Sequence, residues 1–272
     1  VPEGDAIFRT ARTLHRALAG RTVTRFESAL PSLTRVHEDT PITGRTVERV
    51  EAAGKHVLMR FSGGLALRTH MRMNGSWHIY RPGERWQRPR RDMRVFVATD
   101  AFEAVAFNVP VAEWLDERGE ARQRDLRAMG PDLLGESFDE EDALRRVRER
   151  GDEAIADVLL NQRVAAGIGN VYKSEVLFIC RVDPFTAARD VADERVRAAL
   201  QTARRLLRAN VTTLGGITTY LGFERGRGGG AEHRRHVYGR ARKPCRRCGT
   251  PIRVRAQGPH ARLTYWCPTC QT

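Results

Sequence analysis

The sequence predicts an α+β protein: an N-terminal helix with an antiparallel β-sandwich, then a helical second half that ends in a cysteine-rich hairpin. Three observations predict it. Ile7, Ala11, Leu14 and Leu18 repeat at helical spacing near the start; short β-type runs broken by Gly, Pro and Asn fill residues 21–108; helical-length segments return beyond residue 139. A chain of 272 residues can hold two domains, or one plus an appended module.

The first helix is expected over residues 4–19, with Asp5 near its start and Gly20 after its last apolar position. Strands are expected at Thr22–Phe26, Val47–Val50, His56–Phe61, Leu65–His70 and Val95–Ala98. The stretch from Asp116 to Asp132 is charged and contains Gly119, Gly130 and Pro131, so it reads as a linker. Helices follow at Glu140–Glu149, Glu153–Leu160, Val171–Cys180 and Asp193–Thr213. Glu224–Arg235 is rich in Gly and Arg and too polar to pack. The expected domains are 1–115, the linker 116–132, the helical region 133–223 and the tail 236–272.

Charge narrows the function. A net charge of +14 exceeds what solubility requires and implies a polyanionic partner, nucleic acid before an anionic membrane surface. No apolar run reaches the ~18–20 residues of a membrane span, and the N-terminus lacks an apolar signal region, which points to the cytoplasm. Lysine occurs only at Lys55, Lys173 and Lys243 among 47 basic residues, so each is a candidate for a role that arginine cannot fill.

Cys245-x-x-Cys248 and Cys267-x-x-Cys270 have the spacing of a four-thiolate zinc site. With all four positions filled by protein, one zinc ion there is structural rather than catalytic. The fifth cysteine, Cys180, lies in an apolar run and reads as a core residue. Thr250–Thr264 forms a hairpin whose tip, near Gly258 and Pro259, is surrounded by Arg253, Arg255, His260 and Arg262. Such a tip suits phosphate contact, or forms a solvated charged face.

The turn Gln162-Arg163-Val164-Ala165-Ala166-Gly167-Ile168-Gly169-Asn170 joins two helices, with Asn170 at the expected N-cap of the second. It is either an anion site at a helix N-terminus or a plain helix corner. The opening residues are Val1-Pro2-Glu3-Gly4-Asp5. Removal of Val1 is expected to expose a secondary amine at Pro2, with an α-amino pKa of roughly 7.7–8.0, beside the carboxylate of Glu3. A free amine of that kind attacks an electrophilic sugar carbon; the plainer reading is that Pro2 resists proteolysis.

In chain order, Pro2-Glu3-Gly4, Gly54-Lys55-His56, Met73-x-Gly75-Ser76, Asn161-Gln162-Arg163, Gly167-Ile168-Gly169-Asn170-Val171-Tyr172, Gly215-Gly216, Val237-Tyr238-Gly239-Arg240 and Tyr265-Trp266-Cys267-Pro268-x-Cys270-Gln271 cover nearly the whole chain. Together they resemble the formamidopyrimidine-DNA glycosylase/endonuclease VIII family of base-excision repair enzymes. The resemblance implies a helix–two-turn–helix motif in the helical half and a zinc-finger hairpin. It further implies that Pro2 is the nucleophile at C1′, that Glu3 protonates the ring oxygen, and that Lys55 binds phosphate beside them. Gln162, Asn170 and Arg262 would contact DNA, the last two clamping phosphates, and Met73 would fill the gap left by the flipped base. The partner implied is damaged DNA, bound by a monomer. Where formamidopyrimidine-DNA glycosylases carry an arginine-x-phenylalanine loop, this chain reads Phe107-Asn108-Val109-Pro110. That departure favours endonuclease VIII and oxidised pyrimidines, although Ala6 departs from better-known enzymes of that branch. The alternatives are the same chemistry on 8-oxoguanine and formamidopyrimidine, or a non-catalytic zinc-finger protein that binds nucleic acid.

Overall fold

The computed structural model describes residues 2–116, 119, 123, 127–212, 217–220 and 231–272. Val1, much of the expected linker, Gly215-Gly216 and residues 224–230 lie outside the described residues. The chain divides into two compact units, 1–128 and 129–272.

The first unit opens with α1 (Gly4–Leu18), whose face of Ile7, Ala11, Leu14 and Leu18 is buried. Two antiparallel four-stranded sheets follow. One has the order β2 (Val47–Ala53), β3 (His56–Phe61), β4 (Leu65–His70) and β8 (Val111–Leu115). The other has the order β1 (Arg25–Ser28), β6 (Met93–Ala98), β7 (Glu103–Phe107) and β5 (Ser76–Tyr80). One core joins α1 to both sheets: Val57, Met59 and Phe61 from β3 share it with Val95 and Val97 from β6. The indole of Trp77 on β5 donates to Thr69 Oγ1 on β4 at 3.1 Å, a polar tie between the two layers.

One helix of this unit departs from the expected pattern. Pro31–Asp39 forms α2 with Pro at its first turn and only Leu33 buried, so its sequence carries too narrow an apolar stripe to announce a helix. It is held from outside by the indole of Trp114, which donates to the Leu33 carbonyl at 3.0 Å. Strands β5, β7 and β8 also go beyond the expected set.

The second unit contains α3 (Glu140–Arg148), α4 (Ile155–Leu160), α5 (Asn170–Ile179) and α6 (Asp193–Val211), followed by the hairpin β9 (Arg253–Gln257) and β10 (Arg262–Trp266). Leu144, Val158, Tyr172, Leu177 and Leu200 share its main core, with Cys180 partly buried against it. The end of the polar stretch does pack, against expectation. Ala231–Arg234 forms a 3₁₀ turn, and the Arg234 carbonyl accepts from the amides of Thr219 and Tyr220 at 2.9 and 3.0 Å.

Candidate functional site

Strand pairing brings the chemistry-bearing residues of the first unit to one end of one sheet. Ala53 pairs with His56, so Gly54 and Lys55 form a two-residue hairpin tip, with Gly54 at φ +56° as the first position of a tight turn of this kind requires. On the neighbouring strand Val57 pairs with Thr69, and His70 pairs in turn with Val111 of β8. Lys55, the Met71–Gly75 loop and Asn108–Pro110 therefore share an end.

The head of α1 reaches the same end. Gly20, just past the helix, donates to the Val47 carbonyl, and His15 Nδ1 accepts from the amide of Val50, so α1 runs antiparallel along β2. Its fifteen residues span roughly 21 Å at 1.5 Å per residue, about the reach of β2 at 3.3 Å per residue. The first turn thus comes over the Gly54-Lys55 tip. Glu3 stands at the N-cap of α1 and is 1 % exposed, its carbonyl accepting from the amides of Ala6 and Ile7. Asp5 is fully buried and pairs with Arg9 at 3.5 Å.

His70 belongs to this cluster and was not singled out by sequence. Its ring lies 4.7 Å from that of His56, and its Nδ1 accepts from the amide of Arg72 at 3.1 Å. Burial, reinforced by the charges of Lys55, Arg72 and Arg68, holds it below the ordinary histidine range, so it is neutral at neutral pH. Met73 rides the tip of the next loop and is 60 % exposed. A Cβ on Gly75 would come within 2.5 Å of the Met71 carbonyl, so the turn that presents Met73 closes around a glycine.

In the second unit the expected N-cap shifts by one residue. Gly169 caps α5, while Asn170 is its first helical residue and donates Nδ2 to the Leu263 carbonyl at 2.8 Å. That bond brings the helix N-terminus beside exposed Arg262, which makes no ion pair among the described residues. Gln162 is turned inward: its amide donates to the carbonyls of Leu160 and Ile168 and accepts from Gly167, each at 2.9–3.0 Å. Its side chain shapes the turn. Gly167 holds φ +114°, in the left-handed region that favours glycine.

Beneath the hairpin lies a buried polar chain. Lys173, fully buried, donates Nζ to Thr264 Oγ1 at 2.7 Å, and Thr264 donates to Gln257 Oε1 at 2.8 Å. Asp157 abuts the tip at Gly258; burial pushes its carboxyl up, while the Lys173 charge pulls it down. Glu175, two residues on, is also fully buried. It accepts from the amides of His236, Val237 and Tyr238 at 2.7–2.8 Å and from the Thr219 hydroxyl, fixing the chain that leads into the cysteines. Replacing Glu175 with Ala takes the partner from one buried and two part-buried N–H groups, and the expected loss of stability is on the order of 3–5 kcal/mol, read by denaturant unfolding.

The four cysteine sulfurs lie within 4.8 Å of one another, with Cys245–Cys270 at 4.0 Å and Cys248–Cys267 at 3.4 Å. A tetrahedral zinc with Zn–S bonds of about 2.3 Å needs sulfurs about 3.8 Å apart, so the donor set fits. A Thr250 hydrogen bond lowers Cys248 to about 6, whereas burial and the adjoining thiols push Cys270 up to about 12. Four thiolates cannot coexist here without a cation to offset their repulsion.

Residues 1–131 match the formamidopyrimidine-DNA glycosylase N-terminal domain, residues 129–221 the formamidopyrimidine-DNA glycosylase H2TH domain, and residues 242–272 the zinc finger found in FPG and IleRS. A probable endonuclease 8 2 of Streptomyces coelicolor is 43 % identical over all of this chain and 94 % of its own length. A DNA-(apurinic or apyrimidinic site) lyase Nei2 of Mycolicibacterium smegmatis is 36 % identical, covering all of this chain and 99 % of its own. Among solved structures, a complex of Lactococcus lactis Fpg with DNA containing an abasic site superposes with a TM-score of 0.81 at 22 % identity, over the whole of both chains.

Proposed function

This chain belongs to the formamidopyrimidine-DNA glycosylase/endonuclease VIII family, and we propose that it excises oxidised pyrimidines from DNA and cuts the strand by β,δ-elimination through Pro2. Base-excision repair by a DNA glycosylase and AP lyase is the function its relatives support. The observation that carries the mechanism is the convergence of the head of α1, with Glu3 buried at its cap, on the Lys55 hairpin tip and His70.

In the first step Glu3 delivers a proton to the ring oxygen as C1′–O4′ opens and the Pro2 nitrogen bonds to C1′. The bond from C1′ to the base then breaks, the base leaving with the proton that Pro2 gives up, and an iminium remains between Pro2 and the sugar. Loss of the C2′ proton expels the 3′ phosphate, a second elimination expels the 5′ phosphate, and water releases Pro2. Lys55 supplies positive charge to a phosphate of the reacting nucleotide, and neutral His70 offers a hydrogen bond beside it. Asn170 and Arg262 hold phosphates of the damaged strand, and Gln162 keeps the turn that presents Asn170. Met73 enters the stack where the base has left. We assign one structural zinc ion to Cys245, Cys248, Cys267 and Cys270, holding the hairpin that carries Arg262. The enzyme works as a monomer in the cytoplasm.

The pyrimidine assignment rests on the Asn108-Val109-Pro110 loop and on the relatives named endonuclease 8. The rival substrate class, 8-oxoguanine and formamidopyrimidine, is favoured by the N-terminal domain match. A duplex panel separates them. Thymine glycol and oxidised cytosine are expected to be cleaved at least tenfold faster than 8-oxoguanine opposite cytosine, and the reverse order would replace the assignment.

A further inference from the structure

The connection from β5 to β6 carries Arg81, Arg85, Arg88, Arg90 and Arg91, and Arg94 follows within β6. Arg90 is taken by Glu27 at 2.8 Å. Among the described residues no carboxylate pairs with Arg88, Arg91 or Arg94. The segment is nonetheless well anchored. Trp86 packs on Tyr80, Phe96 and Phe107 with ring centroids 5.7–6.4 Å away, and the amide of Gln87 donates to the Tyr80 hydroxyl at 3.0 Å. Arg94 Nη1 donates to the carbonyls of Arg91 and Met93 at 2.9 and 3.0 Å. The guanidinium groups are therefore presented on a fixed backbone, which limits the entropy lost on binding.

Arg88 and Arg94 line a groove of about 890 Å³ whose other lining includes Arg72, Met73, Asn74 and Asn108. Arg72 and Asn108 both hold left-handed backbone, at φ +46° and +51°, and the amide of Asn108 is bonded to the Asp92 carbonyl at 2.8 Å. Three like charges beside an exposed methionine make a positively charged surface that suits a polyanion.

The topology says which one. Lys55 and His70 come from the sheet β2-β3-β4-β8, whereas Arg88 and Arg94 come from the sheet that contains β5 and β6. The Met73 loop is the link from β4 to β5, between the two sets. A wedge at that place parts a base pair with one strand on the Lys55 side and the other on the arginine side. We propose that Arg88, Arg91 and Arg94 bind phosphates of the strand opposite the lesion, so that the enzyme engages a duplex more tightly than a single strand. This inference rests on the glycosylase reading above.

The test uses duplex and single-stranded oligonucleotides carrying the same tetrahydrofuran abasic analogue, with affinity measured across a salt series. The Arg88→Ala/Arg91→Ala variant is expected to lose at least tenfold more affinity for the duplex than for the single strand. Its duplex log–log salt slope should fall by about 1.8, at roughly 0.9 per phosphate contact, and Arg88→Lys/Arg91→Lys should recover most of it. Equal losses on both substrates would assign the arginines to the lesion strand and overturn the proposal. Wild-type affinity for the duplex and no change in slope would overturn it too. Wild-type protein that does not distinguish the abasic analogue from intact DNA would instead refute the glycosylase reading on which the inference stands.

Discussion

Borohydride added while the protein acts on abasic DNA is expected to link the two covalently, and the adduct should map to Pro2. Reduction converts the iminium between the Pro2 nitrogen and C1′ into a stable amine, so the trapped mass is that of a chain beginning at Pro2 plus the DNA. The comparison that decides the point is protein retaining Val1, in which the Pro2 nitrogen is a tertiary amide with no nucleophilic lone pair. Its trapping should fall to background, a loss on the order of 10³ or more. Pro2→Gly keeps an amine but changes its class from secondary to primary and removes the ring that fixes its direction, so its adduct yield should fall clearly below wild type. Equal trapping by wild type and Pro2→Gly, or full trapping with Val1 retained, would move the nucleophile elsewhere, with Lys55 first in line because it is a lysine at the same end of the sheet.

The sequence conveyed those parts of the site whose chemistry is local. The cysteine pairs, the Gly54-Lys55-His56 motif and the helix that follows Glu3 are each specified within a few residues; α1 forms where it is expected and the four cysteines come together, while the turn at Gly54-Lys55 emerges only from the pairing of β2 with β3. Strands β3 and β4 have their predicted bounds because compact apolar runs define them. What was not legible depends on partners far along the chain. His70 gains its significance from the neighbouring strand, not from a motif. Glu175 sits inside the apolar segment Val171–Cys180, where nothing nearby reveals that its carboxylate holds amides 61–63 residues away. Asn170 was placed one residue early because its amide bonds to Leu263 instead of capping its own helix, a tertiary contact that local preference cannot anticipate. Lys173 was flagged by the scarcity of lysine alone; its burial against Thr264 and its charge beside Asp157 give the reason for that choice.

Glu3→Gln is expected to separate the two halves of the reaction. The Glu3 carbonyl, which receives the Ala6 and Ile7 amides, is unchanged by the substitution, and glutamine has nearly the same volume, so α1 should keep its start. What disappears is a proton that can be given to O4′ and taken back. Base excision needs that proton as the sugar ring opens, and removal of a positioned acid typically costs 10²- to 10⁴-fold. A preformed abasic site is already in equilibrium with its open aldehyde, so attack by Pro2 does not wait for ring opening by Glu3. Single-turnover rates should therefore drop by roughly 10²-fold or more on a lesion base, and by far less on abasic DNA, where borohydride trapping persists. Equal losses on both substrates would remove Glu3 from ring protonation and leave it the helix-start charge that its N-cap position also favours. The split matters because Pro2 and Glu3 are adjacent in sequence: a variant that merely displaced the head of α1 would damage nucleophile and acid together, whereas loss of excision with retained trapping can arise only if the amine still reaches C1′ without the acid beside it.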